Sequence, residues 1–310
     1  MLPKNETEKG MVIMALAMLW IPGIDALAKL LTATHSPGQI ALTRFLFQAL
    51  LLFPIIPWRL RRGHARCMGP LHLQAMRGML IAVTTLLFFA ALRFMPLAEA
   101  ISIFFVEPLI LTLLSAIFLG ESIGWRRVLG VLVGFAGALV IIRPSYEVFG
   151  LASLLPVCAA CCFAAYLVLT RKLAASTDPI VMQFVAGLSG IVAMGIALVA
   201  GALFDIEVLA ARMPDSGEWL LMAGLGIVAT TGHLLVVQAF RLAPASLLAP
   251  FQYLEIISAT LLGLLIFGHF PDGWTWVGIV TIVTSGLYVF HRERVRNREA
   301  AAFDAKVDNT

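Results

Sequence analysis

Residues 91–121 read ALRFMPLAEAISIFFVEPLILTLLSAIFLGE, and residues 239–269 read AFRLAPASLLAPFQYLEIISATLLGLLIFGH. At an offset of 148 residues, eight of the 31 aligned positions are identical: Ala91 with Ala239, Arg93 with Arg241, Pro96 with Pro244, Glu107 with Glu255, Thr112 with Thr260, Leu113 with Leu261, Leu114 with Leu262 and Gly120 with Gly268. Leucines agree by chance in an apolar chain, but Arg, Pro and Glu recurring in one frame need another explanation. The pattern predicts an internal repeat of about 148 residues.

The composition of the whole chain excludes most soluble classes of protein. Of the 310 residues, 60% are hydrophobic and only 13% are charged, and the mean hydropathy is +0.94. A soluble globule carries roughly 25% charged side chains, so this chain cannot cover its surface in water. A water-soluble enzyme, a disordered regulator and a nucleic-acid binder are therefore excluded.

Long apolar runs predict an all-α integral membrane protein. A helix needs about 20 apolar residues to cross the hydrocarbon core, and these runs are continuous, whereas barrel strands alternate over about 10 residues. The first run lacks the cleavage site of a signal peptide and is interpreted as a helix. Ten transmembrane helices are predicted, at roughly 10–31, 39–57, 73–93, 98–118, 126–142, 149–170, 179–201, 219–240, 246–268 and 274–291.

The repeat then divides the chain into two five-helix halves. Residues 10–143 form the first half and residues 149–291 the second, between tails at 1–9 and 292–310. Because five is odd, the second half enters the membrane from the opposite side. Two inverted five-helix repeats are typical of secondary transporters; a channel or a membrane enzyme has no need of this symmetry.

The positions of lysine and arginine predict the orientation. With a cytoplasmic N-terminus, the cytoplasmic segments hold 16 of these residues and the outer segments hold three, Arg93, Arg143 and Arg212. Both termini are therefore predicted to be cytoplasmic, in the cell (inner) membrane. The RLRRGHAR stretch at 59–66 is interpreted as a cytoplasmic loop, with no nucleic-acid partner. Arg77, Arg93 and Arg241 lie near span ends, where we expect them to snorkel.

The sequence resembles the EamA-type members of the drug/metabolite transporter superfamily over about residues 10–291. The resemblance rests on ALRFMPLAEA, on FLGESIGWRRVLGVLVGFAGALVIIRP (118–144), on AFRLAPASLLAPFQYLE and on GIVTIVTSGLYVF (278–290). The second half departs from the family pattern at Gly268-His269, where Gly-Glu is usual. The resemblance implies a carrier of small metabolites, most similar to the branch with S-adenosylmethionine and riboflavin transporters. It also implies that the fifth and tenth helices lie at the periphery.

Ionisable residues inside the predicted spans mark candidate sites, because such a group costs about 3 kcal/mol at mid-bilayer. Asp25 and Lys29 share one helix face, and Asp25 and Arg44 lie at a similar depth of roughly 8–9 Å. These three residues fit an ion pair that locks two helices, a substrate contact or a gate. The nearby Trp20-Ile21-Pro22-Gly23 segment predicts a kink, where Trp20 either faces a ligand or simply packs.

Glu107 and Glu255 are the acids of the repeat. Each lies nine residues into its span, roughly 13–14 Å deep, so both are expected near the pseudo-twofold axis where transporters bind substrate. Cation binding, proton coupling and static pairing with Arg44 remain open as roles. Gln252, Tyr253 and His233 complete the predicted substrate-binding residues.

These features predict a secondary transporter that moves a small organic metabolite by alternating access, with proton coupling left open. Riboflavin and S-adenosylmethionine are the suggested substrates; an exporter of amino acids or drugs is the alternative within the family. A membrane-embedded enzyme is disfavoured because no catalytic set of residues is present. No metal site or cofactor is predicted, since the cysteines at 158, 161 and 162 have no His, Asp or Glu on their helix. The expected partners are a small-molecule substrate, membrane lipid and, as an alternative to packing within the chain, a second copy meeting the glycine stripes of the fifth and tenth helices.

Overall fold

The structure is a computed structural model that describes residues 4–61, 70–119, 125–174, 177–243, 248–285, 287–288 and 291. The predicted C-terminal tail, most of the RLRRGHAR stretch and the loop residues Gly120 and Glu121 lie outside the described residues. The α-helices are α1 (Lys4–Trp20), α2 (Pro22–Leu31), α3 (Pro37–Leu52), α4 (Ile56–Arg61), α5 (Leu71–Phe94), α6 (Leu97–Phe104), α7 (Glu107–Leu119), α8 (Trp125–Phe149), α9 (Leu155–Ala174), α10 (Pro179–Leu203), α11 (Ser216–Leu242), α12 (Glu255–Phe267) and α13 (Gly273–Ser285). Short 3-10 turns occupy Phe53–Ile55, Gly150–Leu154, Glu207–Leu209 and Ala249–Leu254.

The helical class predicted from the apolar runs is confirmed. No strand occurs in the described ranges. Within the part of the chain that the structure describes, six helical segments are long and apolar enough to cross a membrane: Glu6–Leu31, Pro37–Trp58, Leu71–Phe94, Tyr146–Ala174, Pro179–Leu203 and Ser216–Leu242. Two further apolar helices, Phe251–Phe267 and Gly273–Ser285, are shorter, and the ten-helix inverted arrangement stays a prediction.

Breaks within the predicted first, fourth and ninth spans position the acids. The first span divides at Ile21, where Pro22 opens α2 without an amide donor. The fourth divides before Glu107, and the ninth changes from a 3-10 turn to α12 at Glu255. Glu107 and Glu255 therefore each begin a helix, where a negative side chain interacts favourably with the helix dipole.

The packing of the long helices is mirrored between the two halves. Helix α5 packs against α9 and α10, and α11 packs against α1 and α3. Gly78 and Gly226, which are 148 residues apart, allow two of these contacts. A Cβ atom on Gly78 would lie 2.5 Å from Ser189 Cβ, and one on Gly226 would lie 2.3 Å from Phe47 Cβ.

Small residues also join α8 to its neighbours within the chain. A Cβ atom on Gly134 would lie 2.1 Å from Leu109 Cδ1, and one on Gly137 would lie 2.9 Å from Thr281 Cβ. The Ser285 hydroxyl donates to the carbonyl of Gly130. The glycine stripe of α8 thus packs against α7 and α13.

Two glycines of α10 provide a matched test of this close packing. In Gly190→Ala the new Cβ would lie 2.4 Å from the ring of buried Phe45, whereas in Gly195→Ala it would meet nothing within 4 Å. Overpacking costs about 1–3 kcal/mol, so we expect Gly190→Ala to lower the unfolding temperature in detergent by several degrees and Gly195→Ala to leave it unchanged. Equal unfolding temperatures for the two variants would contradict the packing of α3 on α10.

Candidate functional site

A buried cavity lies where the broken spans meet α3, α5, α9 and α11. Its volume is about 80 Å³, which is room for a few water molecules. The polar and charged residues that line it are Asp25, Arg44, Thr84, Thr85, Glu107, His233, Gln252 and Glu255.

Six of the eight residues predicted to bind substrate line this cavity. They lie far apart in the sequence, between Asp25 on α2 and Glu255 on α12, and come from both halves of the chain. Glu107 and Arg44 are each 3% exposed, and Glu255 is partly buried. The carboxyl-bearing residues Asp25, Glu107 and Glu255 all line this one cavity. The structure thus brings the acids of both halves to one place; their roles remain predictions.

Several polar atoms of the lining have no hydrogen-bond partner in the described part of the chain. Nearly all buried polar groups in proteins find such a partner in protein or in ordered water. The unpaired atoms are Arg44 Nε, Thr84 Oγ1, Glu107 Oε1, His233 Nδ1 and Gln252 Oε1. This concentration of unpaired donors and acceptors around one cavity fits a site that holds water or a polar solute.

Arg44 is held by its own half of the chain. Its Nη1 donates to Thr85 Oγ1 on α5, and its guanidinium carbon lies 4.8 Å from the centre of the Phe45 ring. Asp25 and Arg44 line the same cavity, but no salt bridge joins these two described residues. A direct Asp25–Arg44 ion pair is not formed in this structure because Arg44 turns toward α5, and the three roles considered for these residues stay predictions.

Lys29 does not line the cavity, and no salt bridge joins it to Asp25 among the described residues. Its ammonium group donates to the carbonyls of Leu92 and Met95, the latter at 2.9 Å. These carbonyls belong to the end of α5, where a positive charge interacts favourably with the helix dipole. In this structure Lys29 caps a helix, and its predicted role in gating stays untested.

Trp20 and Tyr253 also lie outside the cavity lining. Trp20 is 48% exposed, and its Nε1 donates to Thr231 Oγ1 on α11 at 2.9 Å. Tyr253 is buried behind the lining residue Phe105, with 6.0 Å between the ring centres. Direct contact of either residue with a solute in the cavity would require a change of conformation.

An aromatic wall, which the sequence analysis did not predict, forms one side of the cavity. Ring centres are 5.2 Å apart for Phe88 and Phe104, and 5.5 Å apart for Phe104 and Phe163. The Phe163 ring stacks on Tyr166 at 5.4 Å, and the His233 ring meets Tyr166 edge-on at 6.1 Å. Nothing in the sequence distinguishes these phenylalanines from ordinary core residues. The wall offers flat surfaces against which a planar ring can stack.

Apolar helices around a charged, buried cavity, with helices that begin at mid-span, define a class of membrane transporters. The chain belongs to the EamA-like transporter family, whose model matches residues 8–143 and, separately, residues 150–290. The resemblance inferred from the sequence motifs is confirmed, and the family together with the apolar helices indicates a multi-pass membrane transporter.

Individual relatives carry substrate names. The chain is 30% identical over 204 residues to a riboflavin transporter of Vibrio cholerae, a match that covers 66% of this chain and 65% of that protein. It is 27% identical over 270 residues to an S-adenosylmethionine uptake transporter of Rickettsia bellii, covering 87% of this chain and 89% of that protein. A solved crystal structure, 21% identical, superposes with a TM-score of 0.64 and covers 91% of this chain and 96% of its own; this last likeness concerns the fold alone.

Proposed function

We propose that this protein is a secondary carrier that moves a small, ring-bearing organic cation across the cytoplasmic membrane by alternating access. The observation that carries the proposal is the cavity itself, in which carboxyl groups from both halves face an aromatic wall. Buried charges inside a membrane are costly and mark the path of a substrate or ion.

The balance of charge favours a cation. Three carboxyl groups, those of Asp25, Glu107 and Glu255, face a single guanidinium group in the lining, that of Arg44. A solute with positive charge compensates the excess acid, and Arg44 remains available for a carboxylate on the same solute.

The aromatic wall favours a planar ring. S-adenosylmethionine combines a purine ring, positive charge and a carboxylate, and so matches each feature of the lining. Riboflavin offers a larger ring system without the positive charge. Relatives of this chain carry both names, and the charge balance makes S-adenosylmethionine the first candidate.

The proposed architecture is ten helices in two inverted halves with both termini in the cytoplasm. The two matches of one family model and the mirrored packing of α5 and α11 support the repeat, and the positions of Lys and Arg support the orientation. A cavity of about 80 Å³ is too small for a nucleoside derivative, since ligand pockets reach roughly 300 Å³ or more. Transport therefore requires the helices to separate on one side at a time.

Uptake into liposomes tests the proposal. Liposomes that contain the purified protein should take up labelled S-adenosylmethionine with saturation kinetics. When the liposomes are preloaded with unlabelled S-adenosylmethionine, the rate of exchange should be at least tenfold higher than in protein-free liposomes. An imposed proton gradient should change the rate if the buried carboxyl groups carry protons. Preference for riboflavin would replace the cation assignment, while failure to exchange either solute or a wide panel of cationic and aromatic metabolites would contradict the proposal.

A further inference from the structure

Arg77, on α5, is a buried cation outside the cavity. Snorkelling, predicted from its place near a span end, is wrong for this residue, because its side chain is 0% exposed. Its Nε donates to Thr170 Oγ1 at 2.8 Å, its Nη1 to the carbonyl of Met182 at 2.9 Å and its Nη2 to Tyr166 Oη at 3.0 Å. No carboxylate pairs with it among the residues that the structure describes.

The contacts of Arg77 join the two halves of the chain. Arg77 belongs to the first half, whereas Tyr166 and Thr170 lie on α9 and Met182 lies in the first turns of α10. Gln48 of α3 adds a bond of the same kind, from its Nε2 to the carbonyl of Gln183 at 2.7 Å. Side chains of the first half thus bind the start of α10 at the end of the bundle where α9 finishes.

The pseudo-equivalent position lacks this feature. At the offset of 148 residues that relates Gly78 to Gly226, Arg77 corresponds to Leu225, which is also buried. A leucine can form none of these hydrogen bonds, so the charged contact exists in only one half.

The opposite end of the bundle is also joined by contacts between the two halves, but in the described part of the chain none of them involves a buried arginine side chain. The amide of Arg212 donates to Gln39 Oε1 at 2.8 Å, and Gln39 Nε2 donates back to the carbonyl of Arg212. The Ser36 hydroxyl donates to the carbonyl of Ala210, and His35 Nε2 lies 3.6 Å from Glu218 Oε2. Arg93 pairs with Glu207, whose side chain is 79% exposed, and an ion pair in water contributes little. Opening this end separates neutral amide and hydroxyl groups and partly exposed charges, whereas opening the end that holds Arg77 leaves a fully buried guanidinium group without its acceptors.

We propose that Arg77 is a positioning residue that clasps the two halves together at the end formed by Tyr166, Thr170 and Met182. The clasp biases the empty protein toward opening at the other end. This inference rests on the proposed alternating access, and it assigns unequal energies to the two open states. If the predicted orientation holds, the clasp is on the cytoplasmic side and the empty carrier faces outward.

Labelling of a cysteine in the cavity tests the clasp without any substrate. The full chain carries Thr84→Cys as a reporter, with the four native cysteines replaced by serine, in right-side-out and inverted membrane vesicles. We expect Arg77→Leu to raise the rate of labelling by a membrane-impermeant, cationic thiosulfonate about tenfold or more, from the face that holds the clasp only. The labelling rate of Arg77→Lys should lie between the rates of Arg77→Leu and the parent, because an ammonium group lacks the planar set of donors that a guanidinium group has.

Two further variants keep the test independent of folding defects. Tyr166→Phe and Thr170→Val each remove one acceptor, and each should raise labelling from the same face by a few-fold. Arg93→Leu, at the other end of α5, is the matched control and should leave labelling from that face within twofold of the parent.

Parent-like labelling in Arg77→Leu, Tyr166→Phe and Thr170→Val, or an equal rise from both faces, would overturn the clasp. If Arg77→Leu does not fold, labelling of Tyr166→Phe and Thr170→Val tests the clasp by the same criterion: a one-sided rise supports it, and parent-like labelling overturns it. A one-sided rise in a protein that transports no solute would support the clasp and contradict the proposed function. Transport by a protein whose variants show no one-sided rise in labelling would support the proposed function and contradict the clasp.

Discussion

Glu107→Gln and Glu255→Gln should each lower the saturable uptake of S-adenosylmethionine by roughly 10- to 100-fold while the protein still inserts in the membrane. Hydrogen bonds to charged groups contribute about 1.5–3 kcal/mol, and a glutamine offers the same shape without the charge. Glu107 Oε1 has no hydrogen-bond partner in the described part of the chain, so we expect a bound cation to provide that partner. Initial rates in proteoliposomes measure the effect.

The control for this prediction is Glu207→Gln. Glu207 is an acid at the surface whose side chain is 79% exposed, and we expect its replacement to leave uptake within twofold of the parent. Parent-like rates and pH dependence in both cavity variants would remove Glu107 and Glu255 from substrate binding and from proton coupling.

Arg44→Met should reduce both stability and transport, with uptake falling about 100-fold or more. Arg44 is 3% exposed and shares the cavity with three carboxyl groups. Removing one partner from a set of buried charges costs about 3–5 kcal/mol, because the remaining charge is uncompensated. The unfolding temperature in detergent and the initial rate of uptake measure the two effects separately.

The double variant Asp25→Asn with Arg44→Met distinguishes charge compensation from simple loss of packing. If Asp25 and Arg44 compensate each other across the cavity, the double variant should unfold at a higher temperature than Arg44→Met alone. Arg93→Met, a partly exposed arginine, is the control and should change the unfolding temperature little. If the unfolding temperature of the double variant falls by the sum of the decreases in the two single variants, coupling between Asp25 and Arg44 is contradicted.

The charged part of the site was predictable because a charge within an apolar run is conspicuous. Asp25, Arg44, Glu107, His233 and Glu255 stand out in this way, and all five line the cavity. Gln252 was found only through its position beside Glu255. The repeat added that Glu107 and Glu255 are equivalent, and both begin a helix within their span.

The rest of the site was not predictable, since the signal does not reside in any local pattern. Lys29 is as conspicuous as Asp25, yet it caps α5 because that helix ends beside it. Trp20 turns to Thr231, 211 residues away. Phe88, Phe104 and Phe163 form a wall of the cavity but look like core residues in an apolar chain.

The sequence by itself determined the helical class, the apolar spans, the family and the pair of repeated glutamates, because hydrophobicity and residue identity accumulate along the chain without reference to distant partners. Only the tertiary structure decided which polar side chains face a shared cavity and which are satisfied elsewhere. Arg77 is the clearest case: its position suggested a side chain at the membrane surface, but it is buried and donates to three acceptors 89 to 105 residues away. The burial of a polar group depends on the partners that other helices bring to it, and those partners are specified by packing.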